Sequence, residues 1–187
     1  MADIYHFSAP GRTEIGGNHT DRQHGCVIAA AVDMTTTAEV TLNGTNTIRV
    51  DSEGYRPVEI DLGDLTIKEA EKNTTAALIR GVAAAFAQRG YKLAGFDAKV
   101  KSTVLPGSGL SSSAAFEVLI GRILNGLFAN TAVSAIEIAQ IGQYAENVYY
   151  GKPSGLMDQM ASSVGGLVFI DFHDPKMPVV GPLRSAR

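Results

Sequence analysis

The sequence contains a single cysteine, no long apolar run and no excess of positive charge. With only Cys26 available, the chain cannot form an internal disulfide. Its longest apolar run, Cys26–Val32, is far too short to cross a bilayer. The first residues, Met1–His6, include no basic segment followed by an apolar stretch, so we expect no secretory signal. These features together favour a cytoplasmic protein.

Charge and composition argue against several further classes of protein. The 16 Lys and Arg residues are outnumbered by 19 Asp and Glu, and the net charge of −3 argues against a nucleic-acid binder. No group of Cys and His has the spacing of zinc ligands. Because 45% of the 187 residues are hydrophobic and only 19% are charged, the chain can build a packed core and wholesale disorder is not expected.

Periodicity predicts strands first and helices later. Apolar and polar residues alternate at 37–42, 48–50 and 58–62, and a fourth strand is predicted at 97–104. Helical spacing predicts a helix capped by Asn73 and ending at Gly90, helices over 116–127 and 133–150, a shorter helix from about Gly155, and then a strand at 167–170. This order predicts an α+β fold, a mostly antiparallel sheet with helices on one face.

A glycine- and serine-rich turn, Leu105–Ser113, precedes one of the predicted helices. Backbone N–H groups and the positive end of a helix dipole favour an anion there, most usefully a phosphate, and glycine lets the backbone approach it closely. A serine hydroxyl at the helix start can also ligate Mg²⁺. The alternative is a simple glycine turn with Ser111 as an ordinary N-cap. The turn is not a Walker A loop, because no lysine follows its last glycine.

Two more segments contain too many polar residues to be part of the hydrophobic core. Ala9–Asp21 is predicted to form a tight turn whose Asn, His and Asp side chains converge on a hydroxyl-rich ligand, or else a solvated loop with Asx turns. In Gly151–Met160, Asp158 lies near a helix start, where it either complements the helix dipole or orients and deprotonates a hydroxyl. Glu146, one helix earlier, is either a metal ligand or a solvated residue.

Three ordered blocks resemble the signatures of the GHMP kinase superfamily, and most closely those of its galactokinase family. The blocks are Pro10-Gly11-Arg12 with Gly17–Asp21, then Pro106–Ala115, then Gly155–Gln159. The resemblance implies a domain with a ribosomal-protein-like fold, here residues 1–174. It also implies an ATP- and Mg²⁺-dependent sugar kinase that phosphorylates the anomeric hydroxyl of galactose or a related hexose.

The resemblance further implies roles for individual residues. Asp158 would be the base or orienting carboxylate, and Arg12 beside it would keep it ionised and stabilise charge in the transition state. Ser113 and Glu146 would hold Mg²⁺. The residues that would wrap the ATP phosphates are Gly107, Ser108, Gly109, Leu110, Ser111, Ser112 and Ser113. The residues that would line the sugar site are Asn18, His19, Thr20 and Asp21, with Asp21 bonding ring hydroxyls.

The chain departs from the galactokinase pattern in the sugar block, in loop length and in total length. Asn18 stands where the family usually has glutamate, Arg22–Gly25 replaces its Tyr-Asn-Gly-Gly, and the phosphate loop is one residue shorter. Because asparagine donates hydrogen bonds as well as accepting them, the identity of the sugar stays open. Family kinases also have a C-terminal domain. Residues 175–187 contain three prolines and show no periodicity, so they would be a truncated linker toward that domain. We therefore expect this chain alone to have low or no activity and to expose an apolar surface to that domain.

Two other functions compete with kinase activity. A non-catalytic sensor of sugar and ATP would share the fold, but a pure binder has less need of both Arg12 and Asp158. A structural or RNA-binding module would follow from the ribosomal-protein-like fold. The net charge of −3 and the lack of a basic and aromatic stripe argue against that module.

Overall fold

The computed structural model describes residues 3–17, 24–174 and 176–183, and their strands form one sheet. The strands are β1 (Tyr5–Gly16), β2 (Cys26–Leu42), β3 (Thr47–Ser52), β4 (Val58–Asp61), β5 (Phe96–Ser102), β6 (Leu167–Asp171) and β7 (Val179–Pro182). The long strand β2 organises this sheet, because β1 pairs along one of its edges while β5 and β6 pair with different halves of the other. The order is β4-β3-β5-β2-β6-β7, and among these described strands only β3 and β5 pair in parallel.

Among the described residues, four α-helices cover one face of the sheet. They are α1 (Thr75–Gln88), α2 (Ser112–Phe128), α3 (Ala135–Tyr144) and α4 (Met157–Val164), and a short 3₁₀ turn at Glu69–Glu71 precedes α1. Val40 and Ala98 are buried in the core beneath α1, α2 and α3, whereas Glu39 and Lys99 next to them are exposed on the open face. A second apolar cluster joins α4 to β2 and β6. The prediction of an α+β fold with a mostly antiparallel sheet is confirmed.

The prediction of a tight turn over Ala9–Asp21 is wrong for the first part of that segment. Residues 9–16 continue β1 and pair with β2, which begins at Cys26. Two register shifts, after Pro10 and after Glu14, interrupt the pairing and hide the alternation of a regular strand.

Two helix boundaries also differ from prediction. Asn73 does not cap α1: its φ is 62°, and Thr74 occupies the N-cap position. The helix predicted over 133–150 is α3 followed by a π-helical turn, Ala145–Tyr150. Such turns insert an extra residue into a helix and redirect the side chains that follow.

The last described segment forms an edge strand. Val179–Pro182 pairs with β6, although the three prolines and the lack of periodicity in 175–187 predict neither helix nor strand. An edge strand tolerates proline because proline has no backbone N–H to donate, and the outer side of the strand has no neighbouring strand to receive one. The division into 1–174 and 175–187 stays a prediction. In the described part of the chain, no helix has the length and apolar composition needed to span a membrane.

Candidate active site

An ion pair joins two side chains that lie 146 positions apart in the sequence. Arg12 on β1 donates from Nε to Oδ1 of Asp158, in the first turn of α4, over 2.6 Å. The Arg12 side chain is only 15% exposed and that of Asp158 is 34% exposed, so the carboxylate is open to a ligand while the guanidinium is fixed behind it. Arg12 also donates from Nη1 to the carbonyl of Gly109, 2.8 Å away, and thereby links Asp158 to the glycine-rich turn.

The glycine-rich turn is built from left-handed backbone conformations. Gly107, Gly109 and Ser111 have φ values of 75°, 77° and 57°. A Cβ at Gly107 or Gly109 would meet nothing within 4 Å, so glycine is needed there for conformation rather than for space. Ser111 holds the N-cap position of α2 without capping it, and its hydroxyl instead donates to Oδ2 of Asp158. The alternative interpretation of Ser111 as an ordinary N-cap is therefore wrong.

Close packing against β1 holds this turn in place. The backbone N–H of Arg12 donates to the carbonyl of Leu110 over 3.0 Å. A Cβ at Gly11 would lie 3.0 Å from the same carbonyl oxygen and 3.1 Å from Val104, so glycine permits the approach. Because the side chain of Ser111, the N-cap residue, makes no cap bond, the first-turn N–H groups of α2 are not used by it and suit an anion.

Two side-chain oxygens meet near the start of α2. The Ser113 hydroxyl and Oε1 of Glu146, which the π-helical turn carries, are 3.5 Å apart. Nζ of Lys152 lies 3.4 Å from the same carboxylate oxygen. A hydroxyl and one carboxylate beside an anion site fit Mg²⁺, which prefers oxygen and completes its shell with phosphates and water. In the ranges that the structure describes, no three His, Cys, Asp or Glu side chains cluster as in an all-protein metal site.

Two fully buried polar residues lie beside Glu146, and the sequence analysis assigned neither a role. Nε2 of Gln159 donates to Oε2 of Glu146 over 2.8 Å and to Oε2 of Glu117 over 3.0 Å. Burial, reinforced by the charge of Glu146, raises the pKa of Glu117 well above its ordinary value. The signal that was available is a carboxylate at position 117, four residues after Ser113 within an apolar helix.

Two further contacts fix α4 against β1. The Ser162 hydroxyl donates to the carbonyl of Pro10 over 2.6 Å. Arg122 on α2 donates to the carbonyls of Ser8 and Ser163, at 2.6 and 2.9 Å. These bonds join the strand that carries Arg12 to the helix that carries Asp158, and they therefore fix the relative positions of the two side chains.

Asn18, His19, Thr20 and Asp21 lie outside the described residues, and their roles stay predictions. Glu14, to which the sequence analysis gave no role of its own, lies two positions after Arg12 on β1. Its Oε1 is buried without a hydrogen-bond partner among the described residues.

Comparison with known proteins identifies families that share the sequence patterns and the fold of this chain. The family model described as "GHMP kinases N terminal domain" matches residues 77–166, and the "Galactokinase galactose-binding signature" matches residues 2–42. The chain thus carries a GHMP kinase N-terminal domain, and the galactose-binding signature of galactokinases precedes it.

Within that family the chain is similar to galactokinases. It is 38% identical to the galactokinase of Streptomyces coelicolor over 90% of its own length and 44% of that relative. It is 34% identical to the galactokinase of Lactococcus lactis subsp. cremoris over 87% of its length and 41% of that relative. The chain therefore spans less than half the length of these curated relatives.

Solved structures lead to the same family. The Lactococcus lactis galactokinase complexed with galactose superimposes with a TM-score of 0.87 at 29% identity, over 98% of this chain and 48% of the other. The Methanococcus jannaschii mevalonate kinase, at 18% identity and a TM-score of 0.76 over 99% of this chain and 56% of the other, shares the fold.

Proposed function

We propose that this chain forms the part of a galactokinase-type sugar kinase that binds the ATP phosphates and the sugar. The reaction transfers the γ-phosphate of ATP to the anomeric hydroxyl of galactose or a related hexose. The observation that carries the proposal is the Arg12–Asp158 pair, which opens onto the glycine-rich turn through Ser111 and Gly109. A carboxylate beside a phosphate cradle is what phosphoryl transfer to an alcohol requires.

Each group has a part in this reaction. Asp158 orients the sugar hydroxyl and accepts its proton as the oxygen attacks phosphorus. Arg12 holds Asp158 in position and contributes positive charge near the transferred group. The turn at Gly107–Ser113 and the first turn of α2 donate backbone N–H groups to the phosphates. Ser113 and Glu146 would hold Mg²⁺, which neutralises phosphate charge when it is bound.

The sugar and the second wall of the cleft belong to the same proposal. Asn18, His19, Thr20 and Asp21 contact sugar hydroxyls, in keeping with the match of residues 2–42 to a galactose-binding signature. The curated relatives are more than twice as long as the matched region, and we propose that a C-terminal domain like theirs closes the site. Hexoses other than galactose remain candidates because of Asn18.

The test replaces Asp158 by Asn in the full-length protein. Turnover, measured as ADP release with a panel of hexoses, is expected to fall by roughly 10²–10⁴-fold through loss of the proton acceptor. Nucleotide affinity, measured by titration calorimetry, is expected to change little, because the phosphate cradle is intact. Asp51→Asn, on the exposed side of β3, is the matched control and should keep full turnover.

Two results would contradict the proposal. Undiminished turnover in Asp158→Asn would remove the assigned role of that carboxylate. A wild-type protein that binds ATP and a hexose but releases no ADP would favour the non-catalytic sensor.

A further inference from the structure

The two carboxylate oxygens of Glu146 have different surroundings. Oε1 faces the Ser113 hydroxyl at 3.5 Å and the Lys152 ammonium at 3.4 Å. Oε2 points away from them and accepts a hydrogen bond from Nε2 of Gln159 over 2.8 Å. Since the Glu146 side chain is only 4% exposed, water competes little for Oε2, and Gln159 is the group that fixes the rotation of this carboxylate.

Gln159 is itself held on its far side. Its second N–H donates to Oε2 of Glu117 over 3.0 Å, and both residues are fully buried. The amide can satisfy both carboxyl oxygens in one orientation only, because a flipped amide would turn its own oxygen toward them. Gly142 on α3 leaves the room for this arrangement, since a Cβ there would lie 3.2 Å from Gln159 Cγ and 3.2 Å from Glu117 Cβ.

We propose that Gln159, locked by Glu117, is a positioning residue that holds Oε1 of Glu146 toward Ser113, ready to take Mg²⁺. This inference rests on the function proposed above. Gln159 follows Asp158 directly on α4, so a single helical turn sets both the metal ligand and the carboxylate that faces the sugar. The network therefore fixes where the metal sits relative to the accepting hydroxyl.

The experiment measures how much Mg²⁺ strengthens nucleotide binding. Titration calorimetry of the full-length protein with a non-hydrolysable ATP analogue is run with and without Mg²⁺. In Gln159→Met the gain in affinity due to Mg²⁺ is expected to shrink about 10–100-fold, because such supporting residues typically affect metal affinity by that factor. Affinity without Mg²⁺ should be unchanged, and a higher Mg²⁺ concentration should restore the wild-type value.

Matched variants separate positioning from a general loss of structure. Gln140→Met makes the same replacement on α3, where the amide donates to the carbonyl of Lys176, and should keep the full Mg²⁺ effect. Glu117→Gln leaves an oxygen acceptor for Gln159 and should also keep the full Mg²⁺ effect. Glu117→Leu removes that acceptor and should reduce the Mg²⁺ effect. If Gln159→Met does not fold, the two Glu117 variants decide the question: a smaller Mg²⁺ effect in Glu117→Leu alone supports the proposal, and equal effects overturn it.

Glu146→Ala separates this inference from the proposed function. Loss of the Mg²⁺ effect in Glu146→Ala, with the full effect in Gln159→Met, overturns the role of Gln159 and leaves the metal site standing. A full Mg²⁺ effect in Glu146→Ala removes the metal site itself, and the role of Gln159 with it.

Discussion

Replacing Gly81 by Ala should destabilise the protein, because α1 packs directly on the π-helical turn that carries Glu146. A Cβ at position 81 would lie 2.8 Å from Cβ of Ala145, 2.9 Å from its Cα and 3.0 Å from Cγ of Tyr149. Favourable carbon–carbon contacts lie near 3.5–4.0 Å, so each contact would be short by roughly 0.5–1 Å. Ala145 has no side-chain rotation that could relieve this, and α1 must move away from the turn.

The expected magnitude combines two opposing effects. Overpacking a core of this kind costs about 1–3 kcal/mol, toward the upper end when the obstructing atoms belong to the backbone. Alanine is favoured over glycine inside a helix by about 1 kcal/mol. The net loss in the free energy of unfolding should therefore be about 1–2 kcal/mol.

Urea unfolding of the wild type, Gly81→Ala and Gly126→Ala measures this loss. Gly126 is the matched control on α2, because its Cβ would meet only the ring edge of Phe7, 2.7 Å from Cε1, and that ring can turn aside. Gly126→Ala should therefore be closer to the wild type than Gly81→Ala. A Gly81→Ala protein as stable as the wild type would refute the argument that α1 and the turn are in fixed, close contact.

Two further predictions concern buried polar groups. Glu117→Gln should become more stable relative to the wild type as pH rises from 5 to 8 in urea unfolding; a pH-independent difference would contradict the raised pKa of Glu117. The sign follows because a carboxyl with a raised folded-state pKa contributes stability that is complete below its unfolded pKa and is lost as pH rises toward the folded value. Ser162→Ala removes the bond to the Pro10 carbonyl and should cost about 1 kcal/mol in the same assay, whereas an unchanged midpoint would show that this bond does not hold α4 to β1.

The fold was largely predictable where a single face of an element is buried. Strands β3, β4 and β5 alternate cleanly, because the core covers one side of each and water the other. β1 was missed because Gly11 and Arg12 serve the packing and charge of the site rather than an alternating pattern. Its partner is β2, whose pairing with it lies outside any local sequence window. The π-helical turn was missed for a related reason, since apolar spacing continues through α3 into it.

The candidate site was less predictable from the sequence than the fold. Composition and spacing alone left Asp158 and Glu146 as open alternatives, and the family resemblance was needed to bring Arg12 and Asp158 together. The structure adds what neither could supply, namely that Ser111 bonds Asp158 instead of capping α2. Gln159 lies within the Gly155–Gln159 block, yet the role proposed for it depends on Glu117, a residue on another helix.

The two halves of the proposed site share α4 as their common support. Asp158 is held to β1 through Arg12, and Ser162 one turn later is held to Pro10 on the same strand. Glu146 lies on the π-helical turn, and its direct link to α4 runs through Gln159. A shift of α4 against β1 would therefore move Asp158 and disturb Glu146, the proposed metal ligand, together. Phosphoryl transfer depends on the distance between acceptor and phosphate, so displacement of α4 should impair both the proposed transfer and the Mg²⁺-dependent part of nucleotide binding.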